Sequence, residues 1–158
     1  MTATEDQPTL YRDTSFWGMT VTQFLGAFND NLFKQLMLLL ALKMSVDVVQ
    51  QPVAMFVFSI PFVMFSGYAG YLADRYSKRT IIVLAKVAEI AVMLLGLGAF
   101  LSFGIFGFPG LLVVLLLMGT QSAFFGPGKY GIMPDTLRPR DLPGGNAIIL
   151  MTTFLAII

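Results

Sequence analysis

Four long apolar stretches limit what this chain can fold into. A transmembrane helix needs about 20 mainly apolar residues to cross roughly 30 Å of hydrocarbon. The apolar stretches are continuous rather than alternating, which favours membrane helices over barrel strands. We predict complete spans at about residues 16–42, 52–72, 81–103 and 111–133.

A fifth apolar run, residues 146–158, is too short to cross a bilayer. Because a membrane protein is not expected to stop inside the hydrocarbon, we interpret this run as a truncated fifth span at the front of a longer chain. The polar residues 1–14 are predicted to form a cytoplasmic tail, and residues 15–158 the transmembrane part. The expected fold class is an all-α integral membrane protein.

Composition supports the membrane class and excludes several functions. Of the 158 residues, 56% are hydrophobic and only 12% are charged, too few to give a soluble domain its polar shell. The net charge of +1 gives no reason to expect a nucleic-acid partner. The absence of cysteine and histidine excludes thiol nucleophiles and histidine-based zinc sites, and we expect no cofactor.

The basic residues between the spans predict the orientation. Lysine and arginine concentrate in the cytoplasmic loops of membrane proteins. With the predicted spans, Lys43 falls on one side, and the other side carries Arg12, Arg75, Lys78, Arg79, Arg138 and Arg140. We therefore predict a cytoplasmic amino terminus in an inner or plasma membrane.

The first span carries charged and amide side chains at its middle, in the stretch AFNDNLFKQL (27–36). A charge at the bilayer centre costs about 3 kcal/mol on insertion scales. Helical spacing places on one face Thr20, Gln23, Ala27, Asp30 and Lys34. These groups either line a water-filled cavity for a polar substrate or ion, or form a structural ion pair. The added amides of Asn29 and Asn31 favour the cavity.

Two further lysines fall inside predicted spans. Lys86 and Glu89 are three residues apart near the cytoplasmic edge of the third span, which favours a structural pair. Lys129 follows Gly126, Pro127 and Gly128, which loosen the helix around it. Position alone leaves Lys129 open between a binding or gating role and simple extension of its ammonium toward the cytosol.

The joint GYLADRYSKR (70–79) resembles the cytoplasmic signature of the major facilitator superfamily. The matching residues are Gly70, Asp74, Arg75, Lys78 and Arg79, whereas Ser77 replaces a usual glycine and predicts a less sharp turn. Here Gly70 is expected to permit close helix approach, and Asp74 to bond a helix terminus or an arginine of the partner half. The resemblance implies a gating loop.

Within that superfamily, GAFNDN (26–31) and GPGKYGIMPD (126–135) are similar to the bacterial lysophospholipid transporter family. The resemblance implies an amino-terminal helix bundle with four complete helices and a truncated fifth, completed by a missing carboxy-terminal half. It makes Asp30, Asn31 and Lys129 polar residues of the substrate cavity, which we extend to Gln23, Asn29 and Lys34.

The function implied is transport of a lysophospholipid, chiefly lysophosphatidylethanolamine, toward the cytoplasmic leaflet by alternating access. The stretch 32–43 looks like the branch fused to acyltransferase domains, so an acyltransferase is an expected partner or fusion. Such an acyltransferase uses a histidine base. Because this chain has no histidine, it is not expected to be the catalytic part. The alternatives are a proton-coupled facilitator of a small polar solute or drug, and a non-transporting membrane scaffold.

Overall fold

The computed structural model describes residue 10, residues 13–43 and residues 50–158, with all side chains in these ranges except those of Gln50, Lys129, Tyr130, Ile132, Asp135 and Thr136. The long elements are the helices α1 (Thr14–Lys43), α2 (Gln50–Arg75), α3 (Lys78–Leu101), α4 (Phe103–Thr136) and α5 (Leu142–Ile157). No strand occurs in the described ranges. The prediction of an all-helical chain is confirmed.

Three of these helices are long and apolar enough to cross a membrane: Gln51–Arg75, Lys78–Leu101 and Phe103–Gly128. A membrane location is therefore supported by the structure as well as by the composition. Helix α1 is longer than any of these spans, but it is not among the three candidates because the polar residues at its middle lower its mean hydropathy. Helix α5 is a shorter apolar helix. The count of four complete spans and a fifth stays a prediction.

The start of α1 is fixed by a side-chain cap. The Oδ1 atom of buried Asp13 accepts hydrogen bonds from the backbone N–H groups of Ser15 at 2.8 Å and Phe16 at 3.1 Å. These are orphan donors of the first helical turn. The cap explains why α1 begins at Thr14.

Helix α4 is interrupted near its start, in the stretch GIFGFPG (104–110) that joins the predicted third and fourth spans. Gly107 has φ 57° and ψ −158°, a conformation open to glycine but strained for other residues. The continuous part of α4 therefore begins after Gly107, close to the start predicted for the fourth span at about residue 111.

The chain divides into two compact units, each described here by itself. The first unit comprises the described residues of Met1–Phe33 together with Lys129–Ile158, and the second comprises Lys34–Gly128. In the first unit an apolar cluster joins α1, the end of α4 and α5 through Leu10, Phe16, Met133, Leu137 and Ile149. A β-carbon at Gly145 would lie 2.5 Å from Leu137 Cδ1, so glycine is needed for this packing.

In the second unit, α2 and α4 meet in backbone contact. A β-carbon at Gly119 would lie 2.3 Å from the carbonyl oxygen of Phe58 and 3.3 Å from the ring of Pro61. Pro61 itself is fully buried. Since any side chain at position 119 would force the helices apart, this glycine fixes how closely α4 packs on α2.

Helix α3 buries one narrow face and exposes the rest. Its buried residues follow helical spacing and are Ala85, Glu89, Val92 and Gly96. The other faces expose large apolar side chains, among them Leu84, Ile90 and Leu94, each 63–65% exposed. Apolar surface of this extent favours contact with lipid or with another protein segment.

Some predictions fall outside the described residues. Arg12, most of the tail 1–14 and most of the joint between the first two spans lie there. The orientation and the division at residue 14 therefore stay predictions.

Candidate functional site

The predicted polar stripe lies on α1, which is helical throughout Thr14–Lys43. Thr20 is buried, and its hydroxyl donates a 2.9 Å hydrogen bond to the Phe16 carbonyl. The predicted site residues of this helix are half-buried; they are Gln23, Asn29, Asp30, Asn31 and Lys34. Partial burial is compatible both with a water-filled cavity and with a structural ion pair.

Asp30 and Asn31 belong to the first unit. The Oδ1 atom of Asp30 is shielded from solvent although the residue as a whole is half-buried. The amide nitrogen of Asn31 donates a 2.7 Å hydrogen bond to the Ala27 carbonyl one turn earlier. Asn31 is therefore oriented by its own helix, which would hold its amide in a fixed direction.

Gln23 contacts α5 within the same unit. Its Nε2 donates to the hydroxyl of Thr153 at 3.3 Å, and that hydroxyl donates to the Ile149 carbonyl at 2.7 Å. The amide of Gln23 is thus engaged in linking α1 to α5. This contact gives Gln23 a structural role that the sequence did not predict.

Lys34 belongs to the second unit, where it lies against α2. Its Nζ is 4.4 Å from the centre of the Phe58 ring. An ammonium within about 6 Å of a ring centre is attracted to the electron-rich face. The ring is itself half-buried and lies 5.6 Å, centre to centre, from that of Phe62.

Lys129 lies in α4, in a segment that stays helical through Gly126, Pro127 and Gly128. Its side chain lies outside the described part of the chain. A β-carbon at Gly128 would lie 3.3 Å from Ile82 Cγ1, so α4 packs closely on α3 just before Lys129. The role of Lys129 stays a prediction.

The predicted structural pair of α3 is confirmed as an ion pair. Lys86 Nζ lies 2.6 Å from Glu89 Oε2 and 4.3 Å from the centre of the Phe125 ring on α4. Glu89 is only 8% exposed and Phe125 only 7%. Because each charge offsets the other inside the helix packing, the pair neutralises Glu89 and links α3 to α4.

The predicted gating loop covers the end of α2 and the start of α3. Asp74, Arg75 and Arg79 are exposed, and Lys78 is half-buried. The Nη1 atom of Arg75 donates a 2.6 Å hydrogen bond to the Tyr71 hydroxyl one turn earlier. The exposed positions leave these charges available to a further protein segment.

Two details of this loop concern its motif residues Gly70 and Ser77. A β-carbon at Gly70 would have no heavy atom of the described residues within 4 Å, so the close helix approach expected there stays a prediction. Ser77 is the N-cap of α3, with its hydroxyl oxygen accepting from the Thr80 backbone N–H at 3.2 Å. The Ser77 side chain therefore caps α3, which the glycine usual at this point of the motif could not do with a side chain.

Sequence reasoning missed Phe58 and Phe125. Each is one of 15 phenylalanines, and no local pattern distinguishes a ring that contacts a lysine on another helix. It also missed Asp13, although an aspartate directly before an apolar helical run is a known start signal.

Curated proteins named lysophospholipid transporter LplT match this chain, among them those of Escherichia coli O1:K1 / APEC, Escherichia coli SMS-3-5 / SECEC and Shigella boydii serotype 18. Each is 31% identical over 156 aligned residues, which cover 94% of this chain. The predicted resemblance to the lysophospholipid transporters is confirmed.

The chain spans 36% of the length of these lysophospholipid transporters. No protein-family model matches the chain. No solved structure matches it either. The similarity to the lysophospholipid transporters therefore covers almost the whole of this chain but only part of theirs.

Proposed function

We propose that this chain is the amino-terminal part of a major facilitator transporter that moves lysophospholipid across a bacterial inner membrane. The observation that carries the proposal is 31% identity to lysophospholipid transporters along 94% of the chain. The three candidate spans support it, since a lipid transporter must lie in the bilayer. The relatives' name is that of a transporter and not of an enzyme, as the sequence predicts.

The proposed cargo is zwitterionic, chiefly lysophosphatidylethanolamine, which moves toward the cytoplasmic leaflet for reacylation. Such a headgroup needs a cation for its phosphate and an anion for its ammonium. Lys34 and Lys129 are proposed for the phosphate and Asp30 for the ammonium. Asn31 is proposed to orient the headgroup, which the hydrogen bond from its amide to the Ala27 carbonyl supports.

The proposed transport cycle is alternating access by two half-bundles, of which this chain supplies most of one. The amino terminus is proposed to be cytoplasmic, which puts the loop 70–79 on the cytoplasmic side. The exposed Asp74, Arg75 and Arg79 would there latch the opposite half in one state. An acyltransferase is the proposed partner or fused domain that consumes the delivered lipid.

The test is uptake of labelled lysophosphatidylethanolamine by vesicles that contain the full-length protein. We expect the wild type to transport it and Asp30→Asn to reduce the rate about tenfold or more, because the amide removes the charge that binds the ammonium. Gln35→Ala is the matched control, since Gln35 is an exposed residue of another face of α1. It should transport at the wild-type rate.

Size-exclusion chromatography in detergent checks that each variant is folded. A folded wild type that moves no lysophospholipid but takes up another solute with protons would reject the lipid proposal. Undiminished transport by folded Asp30→Asn would instead reject the role of Asp30 alone.

A further inference from the structure

The contact between Lys34 and Phe58 places a primary ammonium on an aromatic face inside the second unit. The distance from Nζ to the ring centre is 4.4 Å, well inside the range of cation–π attraction. The half-buried Phe58 keeps part of its surface open, and the neighbouring Phe62 is 38% exposed. Part of the Phe58 side chain is therefore still accessible beside the lysine ammonium.

The backbone of Phe58 is held in a fixed position by the packing of α4 against α2. Its carbonyl oxygen lies where a β-carbon of Gly119 would be only 2.3 Å away, so α4 presses directly on this turn of α2. The fully buried Pro61 completes the same contact. Because this turn of the backbone is fixed by packing, a ligand does not have to order it on binding.

The lysine side chain is the mobile partner of this contact. Its ammonium sits on a flexible four-carbon stem, and the attraction of an ammonium to a ring at a partly exposed site is weak. The phosphate of a lysophospholipid attracts an ammonium more strongly than a ring does, because it carries a full negative charge. A bound phosphate can therefore draw Lys34 away from Phe58.

We infer that the ring face of Phe58 is an ammonium seat, filled by Lys34 in this structure and by the headgroup ammonium of an ethanolamine lysophospholipid during transport. The inference rests on the proposed function. The phosphate binds Lys34, and the substrate ammonium replaces the lysine ammonium on the ring. One cation thus replaces another on the ring face. The ammonium seat adds to the role proposed for Asp30.

The ammonium seat makes Phe58 a specificity residue. A glycerol headgroup has the same phosphate but no ammonium, so it binds Lys34 without gaining the ring. Removing the aromatic face should therefore slow the transport of ethanolamine lipids and leave the transport of glycerol lipids unchanged. Removing Lys34 should slow the transport of both lipids, because both carry the phosphate.

The experiment compares uptake of lysophosphatidylethanolamine and lysophosphatidylglycerol by vesicles that contain the full-length protein. With Phe58→Leu, we expect the ratio of ethanolamine to glycerol transport to fall about three- to tenfold, the range of a cation–π contact of this kind. Phe58→Tyr keeps the aromatic face and should keep the ratio. Lys34→Gln should lower both rates and leave the ratio within about twofold of the wild type.

Phe125→Leu is the matched control. That ring also lies under a lysine, at 4.3 Å, but it is buried and its lysine is paired with Glu89. Its loss should not change the ratio. Phe58→Met, a second non-aromatic variant of similar volume, serves if Phe58→Leu does not fold.

An unchanged ratio in a folded, transporting Phe58→Leu or Phe58→Met protein overturns the ammonium seat. An equal loss of both lipids in these variants does the same, since it indicates a structural role only. If the wild type transports neither lipid, the proposed function itself fails, and this outcome is recognised before any variant is measured.

Discussion

Two lysines of the second unit lie over phenylalanine rings at nearly the same distance, yet their surroundings differ. Lys34 Nζ is 4.4 Å from the ring centre of Phe58, and Lys86 Nζ is 4.3 Å from that of Phe125. Phe125 is buried, and Lys86 also contacts the carboxylate of Glu89 at 2.6 Å. Phe58 is half-buried beside an exposed phenylalanine. The same contact is thus enclosed at one place and open to a ligand at the other.

The two lysines are also proposed to lie nearer opposite sides of the membrane. Phe58 lies about two turns into the span that begins at Gln51, and Lys86 about two turns into the one that begins at Lys78. Consecutive spans cross a membrane in opposite directions, so the starts of α2 and α3 face opposite sides. With the proposed orientation, Lys34 is nearer the side from which the lipid would enter. These differences in burial and position predict a structural role for Lys86 and a transport role for Lys34.

The largest effect on stability is expected from Lys86→Ala. This change leaves the carboxylate of Glu89 buried without its counter-charge, which should lower the free energy of unfolding by about 3 kcal/mol. Lys34→Ala should lower it by less, because Lys34 is only half-buried and the ring that it contacts is partly exposed. Denaturant titration of the protein in detergent micelles measures both.

The double variant Lys86→Met with Glu89→Gln is the control for this prediction. It removes both charges and keeps the volumes, so it should regain most of the stability lost in Lys86→Ala. Equal stability losses for Lys86→Ala and Lys34→Ala would contradict the contrast between the two lysines.

A smaller loss of stability is expected from Gly119→Ala. Its β-carbon would lie 2.3 Å from the Phe58 carbonyl, so α2 and α4 must separate, at a cost of about 2 kcal/mol. The shift should also move Phe58 and reduce the preference for the ethanolamine headgroup. Thermal unfolding in detergent and the two-lipid uptake assay measure these effects.

Gly98→Ala is the matched control in α3, because a β-carbon there meets nothing within 4 Å. Alanine should stabilise that helix by about 0.5 kcal/mol or more. If Gly119→Ala were as stable as Gly98→Ala, the close approach of α4 to Phe58 would be wrong.

The smallest effect is expected at Ser77, which caps the helix that carries Lys86 and Glu89. Ser77→Ala removes the acceptor of the Thr80 N–H and should cost about 1 kcal/mol of stability. Ser77→Gly, the residue usual at this point of the superfamily motif, should cost only a few tenths of a kcal/mol. Thermal unfolding distinguishes the two variants.

Neither Ser77 variant should change the headgroup ratio, since the cap lies in the loop between α2 and α3 and not at Phe58. A changed ratio in Ser77→Ala would show that the two lysine sites are energetically coupled. This outcome would contradict the separate roles of Lys34 and Lys86.

Much of the helical organisation could be predicted because it is encoded locally. Continuous apolar runs, the Gly107 joint and the i,i+3 spacing of Lys86 and Glu89 are short-range features, and the structure agrees with each. The described residues show no close approach at Gly70, since a glycine permits such an approach without requiring it. Which glycines are actually contacted, among them Gly119 and Gly145, depends on how the helices pack.

Hydropathy, helical spacing and motifs are properties of a single segment. The membrane class, the polar stripe on α1 and the resemblance to lysophospholipid transporters could therefore be predicted from the amino-acid sequence alone. That Phe58 lies under Lys34 and Phe125 under Lys86 is seen only once the helices are packed. These partners are on different helices and far apart in the chain. Their meeting depends on the summed packing of whole helix faces, which no local pattern specifies.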